Sequence, residues 1–140
     1  MTLREIAHAK VNLFLHVGGP RADGYHPIES LAAFADIGDE LRFEAGASAF
    51  TIAVDGPFAT AAGVPADNLV LKAAQAFTRE LSSSSGGHFV LTKNLPAGAG
   101  LGGGSADAAA ALRILAKGRR LSLDHPAVTN AAIATGADVS

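Results

Sequence analysis

A run of glycines that ends in an alanine-rich helix constrains this chain more than anything else in it. Gly98, Gly100, Gly102, Gly103 and Gly104 follow Lys93 and Pro96, then lead through Ser105 and Asp107 into Ala108, Ala109, Ala110, Ala111 and Leu112. A helix start leaves several backbone N–H groups without intrahelical partners and carries partial positive charge. Residues without Cβ atoms let such N–H groups close around a bulky anion, and a phosphate suits that site. A mobile linker is the alternative, because glycine runs often serve as one. Against it, the run is bounded by the strand-like Phe89, Val90 and Leu91 and by a helix, with basic Lys93 just upstream. The pattern therefore favours phosphate binding.

It is not a Walker A loop, which needs a Lys and a Ser or Thr directly after its last glycine; here Gly104 is followed by Ser105 and Ala106. Gly98, Gly100 and Gly103 formally match a dinucleotide fingerprint, but that pattern also needs an acidic ribose ligand about twenty residues on. The nearest candidate, Asp124, falls beyond the helix and next to Pro126, where an N-cap role is expected. A protein-kinase glycine loop lies between two strands, whereas this one enters a helix.

Near the N-terminus, Val11, Leu13, Leu15 and Val17 alternate with Lys10, Asn12, Phe14 and His16. On a strand the first set is expected to face a core and the second a cleft or solvent. Asp23 and Gly24 then signal a tight turn. Tyr25 and His26 beside it are either half-buried packing residues or an aromatic plate and an edge-reading group for a flat base.

The 140 residues suffice for one small domain with a real core, and about half are apolar. With a net charge of −2 and no basic cluster, nothing argues for nucleic acid. No apolar run is long enough to span a membrane, and no signal-peptide pattern precedes Leu3. The lack of cysteine excludes disulfides and thiolate metal sites, and fits a cytoplasmic protein. His8, His16, His88 and His125 show no metal-ligand spacing.

Strands are expected over 3–7, 10–18, 27–35, 39–45, 49–55 and 87–93, with 39–45 and 50–54 forming a hairpin in which Leu41 and Phe43 face Ile52 and Val54. A helix should follow, with Asp67 near its cap and Leu69, Ala73, Phe77 and Leu81 on one face. Residues 82–87 read as a mobile low-complexity turn. Further helices are expected from Ser105 to about Lys117 and from Pro126 to about Thr135. Strands followed by helices, with one strand interposed, predict an α+β layer.

The full string Pro96, Gly98, Gly100, Leu101, Gly102, Gly103, Gly104, Ser105, Ala108, Ala109 resembles the ATP-binding motif of the GHMP kinases, which phosphorylate sugars, homoserine, mevalonates and related alcohols. Other landmarks resemble one branch of that superfamily, whose substrate is a cytidine diphosphate-linked methylerythritol of the non-mevalonate isoprenoid pathway. They are Ala9, Lys10, Asn12, Leu13 and Leu15; Arg21, Asp23, Gly24, Tyr25 and His26; Asp67, Asn68 and Leu69; and Gly136, Ala137, Asp138 and Val139. In fold, the resemblance implies a ribosomal protein S5 domain 2-like N-terminal half, a mixed sheet packed with helices. Residues 1–140 would form the ATP-binding domain, and the C-terminal domain would be missing. Where the family usually has proline after its Gly-Ala-Asp-Val, this chain has Ser140, so an N-terminal fragment is expected.

In activity, the resemblance implies a kinase that uses ATP and Mg2+ to phosphorylate the 2-hydroxyl of that small-molecule substrate, with neither nucleic acid nor membrane as partner. Asp138 would activate the acceptor hydroxyl, although by itself it reads as an ordinary helix-end residue. Lys10 would keep Asp138 ionised and offset charge on the transferring phosphoryl group. Asn12 would hold the acceptor, Tyr25 would stack on cytosine, and His26 would read its edge. The loop glycines 98, 100, 102, 103 and 104, with Ser105, would bind the ATP phosphates. Asn68 and Lys93 would approach the nucleotide, or serve as a cap and a strand-end cation. For Asp107, interaction with the helix dipole accounts for it as well as a place near Mg2+ does, and it is not assigned to the site. Two rival readings are a kinase of the same superfamily acting on another alcohol, and a non-catalytic nucleotide-binding remnant.

Overall fold

The computed structural model describes residues 1–101 and 103–139. Four strands, β1 (Thr2–Val17), β2 (Ile28–Ala47), β3 (Phe50–Asp55) and β4 (Gly86–Thr92), form one mixed sheet in the order β1-β2-β4-β3. Three helices, α1 (Leu69–Glu80), α2 (Gly103–Gly118) and α3 (Pro126–Thr135), complete the α+β layer that the sequence predicts.

Strand alternation places the core. Ala7 on β1, Leu41 and Phe43 on β2, and Phe89 and Leu91 on β4 are buried under the helices, while Arg42, Glu44 and His88 between them are exposed. Phe43 and Phe89 are cross-strand partners with ring centroids 4.5 Å apart. From the helix side, Val70, Ala73 and Phe77 of α1 and Ala108, Ala111, Leu112 and Leu115 of α2 close the same core. Leu69 and Leu81, the outer members of the predicted α1 face, are half-buried against it.

The predicted hairpin is not there. β4 lies between β2 and β3, antiparallel to the first and parallel to the second. Leu41 and Phe43 do share a face with Val54 and Ile52, but Leu91 and Phe89 stand between them. The insertion depends on small residues at its tip. A Cβ on Gly86 would come within 2.4 Å of the Ala49 carbonyl, so only glycine lets β4 slide under the β2–β3 turn. Gly86 and Gly87 thus belong to a buried strand end, not to the expected mobile turn.

The paired strand predictions 3–7 with 10–18, and 27–35 with 39–45, each fuse into one long strand. Their register shifts between His8 and Lys10 and again between Asn12 and Phe14. Beyond the first shift the two strands leave the helices and continue as a two-stranded arm. There Leu13, Leu15 and Val17, expected in a core, are 65%, 53% and 53% exposed, and Val11 is 38% exposed. The alternation is real, but among the described residues no helix covers either face of the arm.

One helix cap agrees with expectation and one differs. The N-cap of α1 is Asn68, whose side chain accepts from the Val70 N–H at 2.9 Å, while Asp67 closes a short 3₁₀ turn, Pro65–Asp67. The N-cap of α3 is His125, whose Nδ1 accepts from Ala127, and Asp124 instead accepts from the Ser122 hydroxyl.

Candidate active site

The glycine loop connects β4 to α2 and is clamped at both ends. At its start, the Asp39 carboxylate accepts the N–H groups of Asn94 and Leu95 at 2.6 and 2.9 Å. Near its end, the Lys10 N–H donates to the Leu101 carbonyl at 3.0 Å, tying the loop to β1. Gly98 and Gly100 have φ of 70° and 68°, a region that residues with a Cβ rarely enter, so the path of the loop requires glycine there. Gly103 and Gly104 form the first turn of α2, where N–H groups lack intrahelical acceptors. Gly102 lies outside the described residues.

Under the loop is a cavity of about 440 Å³ lined by Asn68, Lys93, Gly98, Gly100, Gly103, Gly104, Ser105 and Asp107. Beside it a groove of about 770 Å³ runs between β1, α2 and the segment after α3, lined by Lys10, Phe34, Ser105 and Asp138 among others. Ser105 lines both. An anion held by the loop and a second molecule in the groove would therefore meet at that hydroxyl.

Lys10 and Asp138 come from opposite ends of the chain. Lys10 sits where β1 passes the loop. Asp138 is delivered by the turn after α3, which the buried side chain of Val139 pins to the core. Lys10 Nζ lies 3.8 Å from Asp138 Oδ1, with 31% and 74% of the side chains exposed. An ion pair this open contributes little to stability, roughly 0–1 kcal/mol.

Of the two expectations for Lys93, its surroundings match the strand-end cation. It is only 5% exposed, and its ammonium donates to Asp39 Oδ2 and, at 2.9 Å, to Asp107 Oδ2. Burial pulls the Lys93 pKa down, but the hydrogen bonds and charges of Asp39 and Asp107 outweigh it, leaving the group raised and firmly protonated. Asp39 and Asp107 were missed by sequence reasoning, although one signal existed. Asp39 is in phase with buried Leu41 and Phe43, and Lys93 is in phase with buried Phe89 and Leu91. Since Glu40 pairs with Thr92, the next rung outward joins Asp39 to Lys93. Charged residues on core-facing positions of neighbouring strands demand each other.

Asn68 spends its carbonyl oxygen on the helix cap, leaving its amide N–H groups toward the cavity it lines. The structure does not bring Asn12, Tyr25 and His26 into either cavity. They lie on the arm, where Asn12 accepts from the Ser30 hydroxyl at 3.3 Å and Tyr25 is 70% exposed. His26 Nδ1 donates to the Gly18 carbonyl at 2.9 Å, which leaves Nε2 as an acceptor. Among the described residues no group of three or more His, Cys, Asp or Glu side chains could hold a metal ion, and no helix is long and apolar enough to cross a membrane.

Residues 68–140 match the family model of the GHMP kinases N terminal domain. The 4-diphosphocytidyl-2-C-methyl-D-erythritol kinase of Rhodopseudomonas palustris is 53% identical over 139 residues, covering 99% of this chain and 46% of that protein. A crystal structure of 4-(cytidine 5'-diphospho)-2C-methyl-D-erythritol kinase superposes with a TM-score of 0.70 at 34% identity, over 98% of this chain and 47% of the other. A homoserine kinase from Cytophaga hutchinsonii superposes with a TM-score of 0.62 over 95% of this chain and 40% of its own, and at 19% identity it shares the fold alone. The chain thus spans about half the length of the relatives it matches.

Proposed function

The chain belongs to the GHMP kinases, and from that premise we propose that its joined cavities serve transfer of the ATP γ-phosphoryl group to an alcohol. The acceptor in this reading is the 2-hydroxyl of 4-diphosphocytidyl-2-C-methyl-D-erythritol, the substrate class in the name of its 53% identical relative. The observation that carries the reading is Ser105, shared by a cavity under a glycine loop and a groove that holds Lys10 and Asp138. Phosphoryl transfer needs alignment, charge neutralisation and a proton acceptor more than covalent help.

Each part has a residue. The loop glycines 98, 100, 102, 103 and 104 and the α2 N-terminus offer N–H groups to the phosphates, and Ser105 adds a hydroxyl. The amide of Asn68 contacts the nucleotide from the α1 side. Asp138 accepts the proton of the acceptor hydroxyl, and Lys10 beside it stabilises negative charge as the phosphoryl group moves. Mg2+ would arrive on the nucleotide, since this ion keeps several waters and is held largely by phosphates. It supplies charge neutralisation at the transferring oxygens. Lys93 fixes the floor of the cavity.

Asn12, Tyr25 and His26 would engage the acceptor's cytidine end from the arm. Nε2 of His26, an acceptor once Nδ1 donates to Gly18, suits an exocyclic amino group. A second reading, a GHMP kinase for another alcohol, is favoured by the distance of these residues from the groove lining. The same assay separates the two. The chain is incubated with ATP, Mg2+ and either the cytidine substrate or, in parallel, other small alcohols, and phosphorylated product is sought by mass spectrometry beside an Asp138→Asn control, with ATP binding followed by calorimetry. Product above the control supports the full reading. ATP binding with turnover of a different alcohol selects the second, and no ATP binding overturns both.

A further inference from the structure

Two buried carboxylates share one ammonium beneath the glycine loop, and they are not equally satisfied. Asp39 is 0% exposed and has donors on both oxygens: Lys93 on Oδ2, and the Asn94 and Leu95 N–H groups on Oδ1. Asp107 is 3% exposed, and among the described residues its one donor is Lys93, at 2.9 Å on Oδ2. Its Oδ1 is buried without a hydrogen-bond partner among the described residues. An ionised carboxylate oxygen that is buried and accepts no hydrogen bond is costly. With all three groups charged the cluster would also carry an unbalanced negative charge.

One proton on Asp107 Oδ1 removes the charge imbalance and leaves a neutral carboxyl bare instead of a carboxylate, which costs less. Oδ2 still accepts from Lys93, and the cluster becomes neutral. Asp39, with three donors, is the poorer place for that proton. Lys93 and Asp39 are the charged groups that act on Asp107. From the α1 side the neighbouring residues are the uncharged Asn68 and Leu69, and Asp67 is the other carboxylate lining the cavity. Burial first of all, and then the charge of Asp39, work against ionisation of Asp107, while the hydrogen bond and charge of Lys93 favour it; the outcome is a pKa raised to about 7.

We propose that Asp107 is a proton-carrying positioning residue, neutral when the loop takes up a polyphosphate, whose ionisation puts a negative charge at the cavity floor and weakens the hold on that anion. This rests on the nucleotide reading of the cavity given above. Asp107 and the loop glycines line the same cavity, so the charge and the phosphates would share a poorly screened space.

The test is titration of the chain and its Asp107→Asn variant with ADP, at about pH 6 and about pH 8.5. Asparagine keeps the shape and cannot ionise. The two proteins should bind ADP alike at the lower pH, and the variant about three- to tenfold more tightly at the higher. Comparing them at each pH cancels the titration of the nucleotide itself. An affinity ratio that stays constant across the range overturns the proposal. A carbon-13 NMR titration of the Asp107 carboxyl, in the same chain without ligand, makes the answer independent of binding. A midpoint near neutrality supports the proton assignment, and one in the ordinary aspartate range overturns it. If neither protein binds ADP at any pH, the nucleotide reading falls, and with it the coupling to phosphate, even where the NMR midpoint keeps the proton on Asp107.

Discussion

Lys10 and Asp138 stand 3.8 Å apart at the edge of the groove, and the backbone N–H of the same Lys10 holds the glycine loop through Leu101. The cation, the carboxylate and the loop are therefore linked through one residue of β1. Asp138→Asn keeps the size of the side chain and removes its ability to take a proton. Turnover should fall by about 10²- to 10⁴-fold, the usual range for loss of a general base. ATP affinity, which depends on the loop, should stay within about twofold. Product formation by mass spectrometry and binding by calorimetry give the two numbers; unchanged turnover removes Asp138 from the mechanism.

The Lys93 cluster predicts a stability effect of another size. Lys93→Met preserves the length of the side chain but leaves Asp39 and Asp107 buried without their ammonium. Breaking a buried ion pair from one side costs about 3–5 kcal/mol. Urea unfolding should show a loss of that order. By contrast Arg4→Met, which removes an exposed pair with Glu40, should cost under about 1 kcal/mol. Similar losses for both would mean that Lys93 is not buried as described.

Stability should also depend on pH in a direction opposite to that of an ordinary ion-paired aspartate. The Asp107 pKa is raised from 3.8 to about 7, with burial as the chief cause. The folded chain thus holds this proton more tightly than the unfolded one does. The stabilising contribution is complete below about pH 4, declines as the pH rises toward 7, and is absent above. Each pKa unit corresponds to about 1.4 kcal/mol, so the span is on the order of a few kcal/mol. Thermal unfolding of the chain and of Asp107→Asn should give similar midpoints near pH 4, with the variant increasingly the more stable toward pH 8. A constant gap would show that Asp107 titrates normally.

At Gly100 the backbone and the space around it make separate predictions. A Cβ there would meet nothing within 4 Å, so Gly100→Ala creates no clash. Its φ of 68° remains unfavourable for alanine, by about 1–2 kcal/mol. If the loop shifts its path to relieve that strain, nucleotide affinity should fall by severalfold while the melting point moves little; if it bears the strain, the melting point should fall by several degrees. Calorimetry beside a melting curve would show which. If neither moves, the positive φ is not needed at this position.

Local signals were legible in the sequence and long-range ones mostly were not. The glycine loop, its helix and the α3 start at Pro126 follow from residue types that act on their own backbone. Strand order does not, because nothing in 39–45 or 50–54 says that Gly86 will slip beneath Ala49 and separate them. Periodicity marked Leu13 and Leu15 as one face of a strand, but it cannot say whether anything packs on that face. Asp107 was the least legible. In a first helical turn an acidic residue suits the helix dipole, and only the fold reveals Lys93 at 2.9 Å.

That uncovered arm yields the last prediction. Phe14 pairs with Leu31 on one face, and Val17 with Ile28 on the other. All four are more than half exposed, as is Phe34 at 71%. A two-stranded ribbon gains too little from its own contacts to stay ordered in water, and apolar patches of this kind seek partners. The chain should therefore associate with itself as its concentration rises. Replacing Phe14 and Leu31 by serine should reduce that association without lowering the unfolding free energy by more than about 0.5 kcal/mol, since neither contributes to the core under the helices. Light scattering across a dilution series, with urea unfolding beside it, separates the two effects. If the double variant instead unfolds the domain, the arm is part of its core after all; if association is unchanged, the contact lies elsewhere.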